Sequence, residues 1–271
     1  MRVAVVGLGL IGGSIALAAR ERLSAEVTGW DADADAIDAA VRRGAIISGA
    51  GSLASAVAGA DAVFAAAPVS ALPDLLRAVL AHAPADAVVT DAGSTKRTIV
   101  EAIADPRFVG GHPLAGAETS GVQNAAAGLF DGSTWYLTPS VTVADATIAR
   151  VQQLIEALGA SVTRIDAAEH DRLMAAVSHL PHIFANVLVS TLASAAVRPV
   201  LGPSFRDATR VAGSNPAVWS AIYMDNRDEL IAALDGAIAR LQYVQGRLAD
   251  ADRDALERWS EQAAADRRRL T

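Results

Sequence analysis

RVAVVGLGLIG, residues 2–12, decides how the rest of the chain is read. RVAVV is a short apolar run of the kind that forms a buried strand. It leads directly into Gly7, Gly9 and Gly12, spaced G-x-G-x-x-G, and an apolar stretch of helical character follows. In that setting Gly7 permits a tight turn and Gly9 lets a pyrophosphate approach the backbone. Gly12 lets helix and strand pack closely. Leu10 and Ile11 then open a helix whose free N–H groups and positive dipole end favour a phosphate.

Asp31 closes the next strand-like run, EVTGW (26–30), 19 positions beyond Gly12. A carboxylate there can accept from both ribose hydroxyls of a dinucleotide. It would repel a 2′-phosphate, and no arginine adjoins it, so the expected cofactor is NAD and not NADP. Pro68, just after the run DAVFAAA (61–67), is placed with the same cofactor-binding residues.

Working outward, strand-like runs recur at 61–67, 87–91, 107–111, 134–138 and 161–165. Helical patterns at 11–22, 33–43, 73–82, 95–104, 118–128 and 145–158 separate them. Unbroken apolar strands alternating with helices predict a doubly wound, mostly parallel, Rossmann-like α/β sheet covered on both faces. Strand signals stop near residue 167. The remainder reads as helices at 168–197, about 204–213, 216–247 and 250–268, with Pro181 expected to kink or interrupt the first. The expected organisation is therefore a dinucleotide-binding domain, 1–166, followed by an all-α substrate and dimerisation domain, 167–271.

Composition narrows the classes. The chain has 271 residues, 52% hydrophobic and 20% charged, which describes a folded globular protein. A net charge of −7 argues against a nucleic-acid partner. Arg267–Arg269 read as a solvated helix end. The absence of cysteine excludes disulfides, thiolate metal sites and cysteine nucleophiles, and it fits a reducing cytoplasm. No metal site is expected. The N-terminus lacks a convincing cleavage site and reads as part of the fold. Residues 173–197 contain no Asp, Glu, Lys or Arg and are long enough to span a bilayer. Their two histidines, proline and hydroxyls favour a different reading: a helix buried on all sides of a non-membrane protein, at a subunit interface.

Four further segments carry chemistry. TDAGSTK (90–96) places Ser94 and Lys96 beyond a strand end; Ser94 or Thr95 could equally cap the following helix. GGHPLAGAETSG (110–121) reads as a glycine-rich loop that holds His112 in extended geometry before Pro113. In SHLPH (178–182), Ser178 and His182 are four apart and share a helical face, while His179 is turned away. In FRDATRVAGSNPAVW (205–219), Arg206 and Arg210 have helical i,i+4 spacing, suited either to pairing with an acid or to gripping a planar carboxylate.

GLGLIGGS, DAGSTK, GGHPLAGAETSG, SHLPH and FRDATR with Trp219, in this order, resemble the prephenate/arogenate (cyclohexadienyl) dehydrogenase family of tyrosine biosynthesis, over Val3 to about Asn226. The resemblance implies an NAD-dependent oxidative decarboxylation of a small molecule by a homodimer, with no nucleic-acid or membrane partner. By motif, His112 is similar to the family's catalytic histidine and Ser94 to its hydroxyl partner. His182, Ser178 and Arg210 are similar to its substrate contacts, and Trp219 to a residue lining its pocket. Glu118 could pair with the amino group that distinguishes arogenate from prephenate. Two rivals share the nucleotide fold: a 3-hydroxyacid-type dehydrogenase and a non-catalytic NAD sensor. The first resembles enzymes with a catalytic lysine on the helical domain, whereas the single lysine here, Lys96, lies in the first domain. The second has no need of His112, Ser94 and Arg210 together.

Overall fold

A computed structural model of the chain describes residues 1–116, 119–193 and 200–270. Its strands are β1 (Arg2–Val6), β2 (Glu26–Trp30), β3 (Ser48–Gly49), β4 (Ala62–Ala65), β5 (Val88–Asp91), β6 (Phe108–Pro113), β7 (Thr134–Thr138) and β8 (Ser161–Arg164). They form one sheet in the order β3-β2-β1-β4-β5-β6-β7-β8. Neighbours run parallel throughout, except for the antiparallel pair β6 and β7. The order reverses between β1 and β4, and such a switch point opens a crevice beyond the carboxyl ends of the strands.

Six helices accompany the sheet: α1 (Leu10–Leu23), α2 (Ala34–Arg42), α3 (Leu53–Val57), α4 (Leu72–His82), α5 (Arg97–Ala102) and α6 (Asp145–Ala157). Period-two alternation sends neighbouring strand residues to opposite faces. Val3 and Val5 join Ile15, Trp135 and Ile155 in one core. Ala4 and Val6 join Leu72, Leu76 and Ile99 in the other. Both faces are thus covered, as the unbroken apolar strands require.

The helical segment contains α7 (Ala167–Met174), α8 (Leu180–Ala193), α9 (Pro203–Thr209), α10 (Pro216–Asp225), α11 (Arg227–Ala249) and α12 (Arg253–Leu270). Asp166 starts it by accepting the amides of Ala168 and Glu169. The described residues group into two compact units, Met1–Arg227 and Asp228–Thr271. The second comprises most of α11 together with α12, whose exposed last turn carries Arg267–Arg269.

Several expectations are corrected. The helix expected over 118–128 is, in its described part, only a 3-10 turn at Val122–Asn124. Gly121 enters that turn with φ +84°, outside helical geometry. The run expected at 216–247 breaks at Asn226, whose buried side chain donates to the Asp171 carbonyl at 2.7 Å. The apolar helix is not buried on all sides within one chain. Only 28% of its most apolar stretch is buried, and Val187, Leu188 and Val189 remain 50%, 43% and 40% exposed.

One buried ion pair ties the carboxyl ends of β5 and β6 together. Lys96 and Asp91 are both wholly inaccessible, with the ammonium against Asp91 Oδ2. The Asp91 carboxylate also accepts from Gly93 N at 2.8 Å and Gly111 N at 3.0 Å. Lys96 Nζ donates further to the Gly111 carbonyl at 2.8 Å. Burial pulls the lysine's pKa down, and Asp91 opposes that shift. Removing one partner of such a pair strands the other charge, which costs about 3–5 kcal/mol. Lys96→Met is expected to lose that much stability in urea unfolding; a loss below about 1 kcal/mol would show that the pair holds nothing together.

Candidate active site

The carboxyl ends of β1, β4, β5 and β6 open into a cleft of about 690 Å³, lined entirely by residues of the first unit. At its first end lies the glycine turn. Gly7 takes φ +93°, where a side chain would also strike the Ala66 carbonyl, and a Cβ on Gly12 would strike Gly7. A Cβ on Gly9, by contrast, would meet nothing within 4 Å. Gly9 and the uncapped start of α1 therefore leave open space against free amides, which suits a pyrophosphate. Gly9, Leu10, Ile11 and Pro68 line this part of the cleft. Asp31 stands behind the turn, accepting from Leu8 N at 2.6 Å and Asp33 N at 2.9 Å. Each of its oxygens keeps a lone pair for a ribose hydroxyl. The residues present fit a dinucleotide.

His112 lies at the middle of the rim, within β6 and opposite Tyr136 of β7. The extended geometry expected at His112 is present, but it belongs to a strand and not to a loop: the strand itself fixes the imidazole. Gly110 and Gly111 do not have left-handed φ values. Their role is close approach. A Cβ on Gly110 would strike the Thr138 hydroxyl, and one on Gly111 would lie 2.7 Å from the Asp91 carbonyl and 2.8 Å from Trp135 Nε1.

His112 is 9% exposed and lines the cleft. Its Nδ1 meets His170 Nε2 at 2.9 Å, and His170 Nδ1 meets Asp171 Oδ1 at 2.8 Å. Burial pushes the pKa of His112 well below the usual histidine range. The ring is therefore neutral at pH 7, the state a base needs.

Ser94 also lines the cleft. Neither Ser94 nor Thr95 caps α5. Asp171 does so from α7, accepting Lys96 N at 2.8 Å and Arg97 N at 2.9 Å, while the Thr95 hydroxyl bonds Asp225 at 2.6 Å. The Ser94 hydroxyl makes no hydrogen bond among the described residues, His112 included, so it is open to a bound molecule.

The SHLPH segment departs from helical expectation. Pro181 has no N–H to return to Val177, and Ala175–His179 forms a π-turn closed by Leu180 N on the Ala175 carbonyl. Ser178 and His179 both line the cleft, although successive residues of a regular helix point about 100° apart. His182 is not among the lining residues. It stacks on Trp219, with ring centroids 3.6 Å apart and planes 5° from parallel, and its Nδ1 bonds the Tyr223 hydroxyl. Trp219 itself lines the cleft.

His179 is a site residue that the sequence reading set aside. The Asp171 carbonyl can only accept, which orients the Asn226 amide so that its nitrogen also donates to His179 Nδ1 at 3.2 Å. The His179 proton then sits on Nε2. Burial lowers its pKa to about 4 against the opposing pull of Asp171, so the ring stays neutral and offers a donor.

Arg206 and Arg210 fall on different elements, because α9 ends at Thr209 and Arg210 opens a 3-10 turn, Arg210–Gly213. Only Arg210 faces the cleft, and it is the sole Arg or Lys among the described lining residues. Glu118 lies outside the described residues. Nor do the described residues contain a cluster of His, Asp or Glu suited to a metal.

Comparison with known proteins places this geometry. Residues 15–164 match the family model described as prephenate dehydrogenase, nucleotide-binding domain, and residues 166–262 match prephenate dehydrogenase, dimerization domain. A prephenate dehydrogenase of Bacillus subtilis (strain 168) is 34% identical over 95% of this chain and 72% of its own length. A crystal structure of prephenate dehydrogenase from A. aeolicus, in complex with hydroxyphenyl propionate and NAD+, superposes with a TM-score of 0.92. The two are 30% identical, covering 100% of this chain and 98% of that one. Synechocystis arogenate dehydrogenase gives a TM-score of 0.85 at 27% identity, covering both chains completely.

The buried environment of His112 has a direct consequence in solution. Followed by NMR, its imidazole is expected to titrate below the free-histidine midpoint of about 6.5 and to remain neutral as the pH falls through that value. A midpoint at or above about 6.5 would contradict the geometry.

Proposed function

The chain belongs to the prephenate dehydrogenase family, and from that premise we propose that it catalyses the NAD-dependent oxidative decarboxylation of prephenate, arogenate or both in tyrosine biosynthesis. The observation that carries this reading is the single cleft in which the glycine turn, Ser94, His112 and Arg210 share one space. The substrate class is a cyclohexadienol with a carboxylate on the ring and a secondary alcohol across it.

Neutral His112 takes the alcohol proton. Bound NAD supplies the hydride acceptor for the same carbon. Loss of carbon dioxide then aromatises the ring and makes the step irreversible. Arg210 pairs with a substrate carboxylate, a need set by the acidic character of the whole chain. Ser94 offers its hydroxyl beside His112, Ser178 and His179 offer donors from the π-turn, and Trp219 walls the ring. His182 holds Trp219 from behind. Gly7, Gly9, Leu10, Ile11, Gly12, Asp31 and Pro68 hold the cofactor, and Glu118 is assigned to the amine of arogenate.

The functional division falls at Asp166, between a nucleotide-binding segment and a helical one. A second copy of the chain covers the exposed apolar part of α8, consistent with the matched dimerization domain. A cytoplasmic enzyme with no nucleic-acid or membrane partner fits a chain that is acidic and free of cysteine. The 3-hydroxyacid alternative needs a lysine in the cleft, and Lys96 is locked inside the protein on Asp91.

Mixing the enzyme with NAD and either substrate is expected to generate NADH absorbance. His112→Asn is expected to lower kcat by about 10²–10⁴-fold, the usual contribution of a general base, with NAD affinity unchanged. Near-normal turnover in that variant would remove His112 from the reaction.

A further inference from the structure

His112 does not stand alone. Behind it, away from the cleft, lie two buried groups that the reaction above does not use: His170, with no exposed surface, and Asp171, 1% exposed. Both lie on α7, and Tyr136 sets its ring edge against His170 at a centroid distance of 5.5 Å. No water is needed to complete this array, because each ring nitrogen on the path already faces a protein partner. We propose that His170 and Asp171 are positioning residues that fix the tautomer of His112 and hold its charge during turnover.

The direction of every bond follows from its far end. The Asp171 carboxylate accepts: it takes the backbone amides of Lys96 and Arg97, which can only donate, and it takes His170 Nδ1–H. In its neutral form, with the proton on Nδ1, His170 presents a bare Nε2. That nitrogen must accept, so His112 donates through Nδ1–H. The remaining nitrogen of His112, Nε2, is left unprotonated, and it is the atom available to a reacting hydroxyl. A histidine in the opposite tautomer would present an N–H to the alcohol and could not act as its base.

The same chain serves after the proton moves. When the alcohol O–H breaks and Nε2–H forms, His112 becomes an imidazolium while the C–H electron pair leaves for the bound nicotinamide. The new positive charge is then linked through His170 to the carboxylate of Asp171. No bond inside the array has to break for that stabilisation, and the proton remains on His112 until product leaves. Asp171 also caps α5 and bonds through its carbonyl to Asn226, which orients His179. One acidic residue thus sets the tautomers of both cleft histidines.

This inference rests on His112 being the base, and its test separates the two claims. His170→Leu removes the acceptor and is a cleaner probe than a change at Asp171, which also caps a helix. Loss of tautomer control costs up to about 10⁴-fold in the comparable serine-protease array. For His170→Leu, kcat is expected to fall at least about 10²-fold with the KM for prephenate changed by less than about threefold. His170→Gln, whose side-chain oxygen can accept from Nδ1–H, is expected to recover at least about tenfold of that loss. Independently of any variant, ¹⁵N spectra of the histidine-labelled wild-type protein, which has five histidines to assign, are expected to show His112 protonated at Nδ1 and bare at Nε2.

Two results would overturn the proposal: His112 protonated at Nε2 in the wild-type spectra, or His170→Leu within about threefold of wild-type kcat while His112→Asn is inactive. If His112→Asn itself retains turnover, the assignment of the base fails, and with it the reason for the array. Should His170→Leu fail to fold, the glutamine variant and the wild-type spectra decide.

Discussion

The rim of the cleft depends on the contact between Lys96 and Asp91 in the interior. A charged pair with no exposed surface is tolerated only when its hydrogen-bonding capacity is filled. Here that capacity is filled by the backbone at the ends of two strands. Asp91 accepts from the amides of Gly93 and Gly111, and Lys96 donates to the Gly111 carbonyl. The pair therefore sets where β5 turns out of the sheet and where β6 carries His112. The cleft inherits its shape from a contact that no bound molecule touches.

Charge in the cleft follows a related logic. The chain carries a net charge of −7, yet its proposed substrate is an anion. The described lining contains one cationic side chain, Arg210, and two histidines that burial keeps neutral. Neutral rings serve as acceptor and donor without adding charge, so under the proposed reading recognition of the carboxylate falls to the guanidinium, and proton transfer falls to His112. Asp171 connects these roles. It bonds the His170 ring, two amides at the start of α5 and, through its carbonyl, the amide of Asn226.

Much of this was legible in the sequence where local pattern and long-range structure agree. The strands at 2–6, 26–30 and 134–138 have the bounds expected from their apolar runs, and the glycine spacing placed the start of α1. Two-residue β3 and five-residue α3 carry too little periodicity to be seen. The misreading of SHLPH has a specific cause. A 3.6-residue period does not hold through the π-turn at Ala175–His179, and His179, not His182, lines the cleft. Gly110 and Gly111 suggest a loop by composition, but their neighbours are strand atoms that leave no room for a Cβ. His170 and Asp171 gave no local signal, since their meaning depends on a partner some 58 residues away in the chain. The helix at 180–193 looked like a core helix because composition does not say whether one chain or two will cover it.

The most direct test of the account is the distance from His112 Nε2 to the reacting oxygen in a crystal structure of this protein with NAD and a 4-hydroxyphenyl product analogue. The expected result is a phenolic oxygen within about 2.6–3.2 Å of Nε2, on the ring edge nearest the nicotinamide, with the analogue's carboxylate toward Arg210. An analogue bound with that oxygen away from His112, or with the imidazole turned out of the cleft, would contradict it.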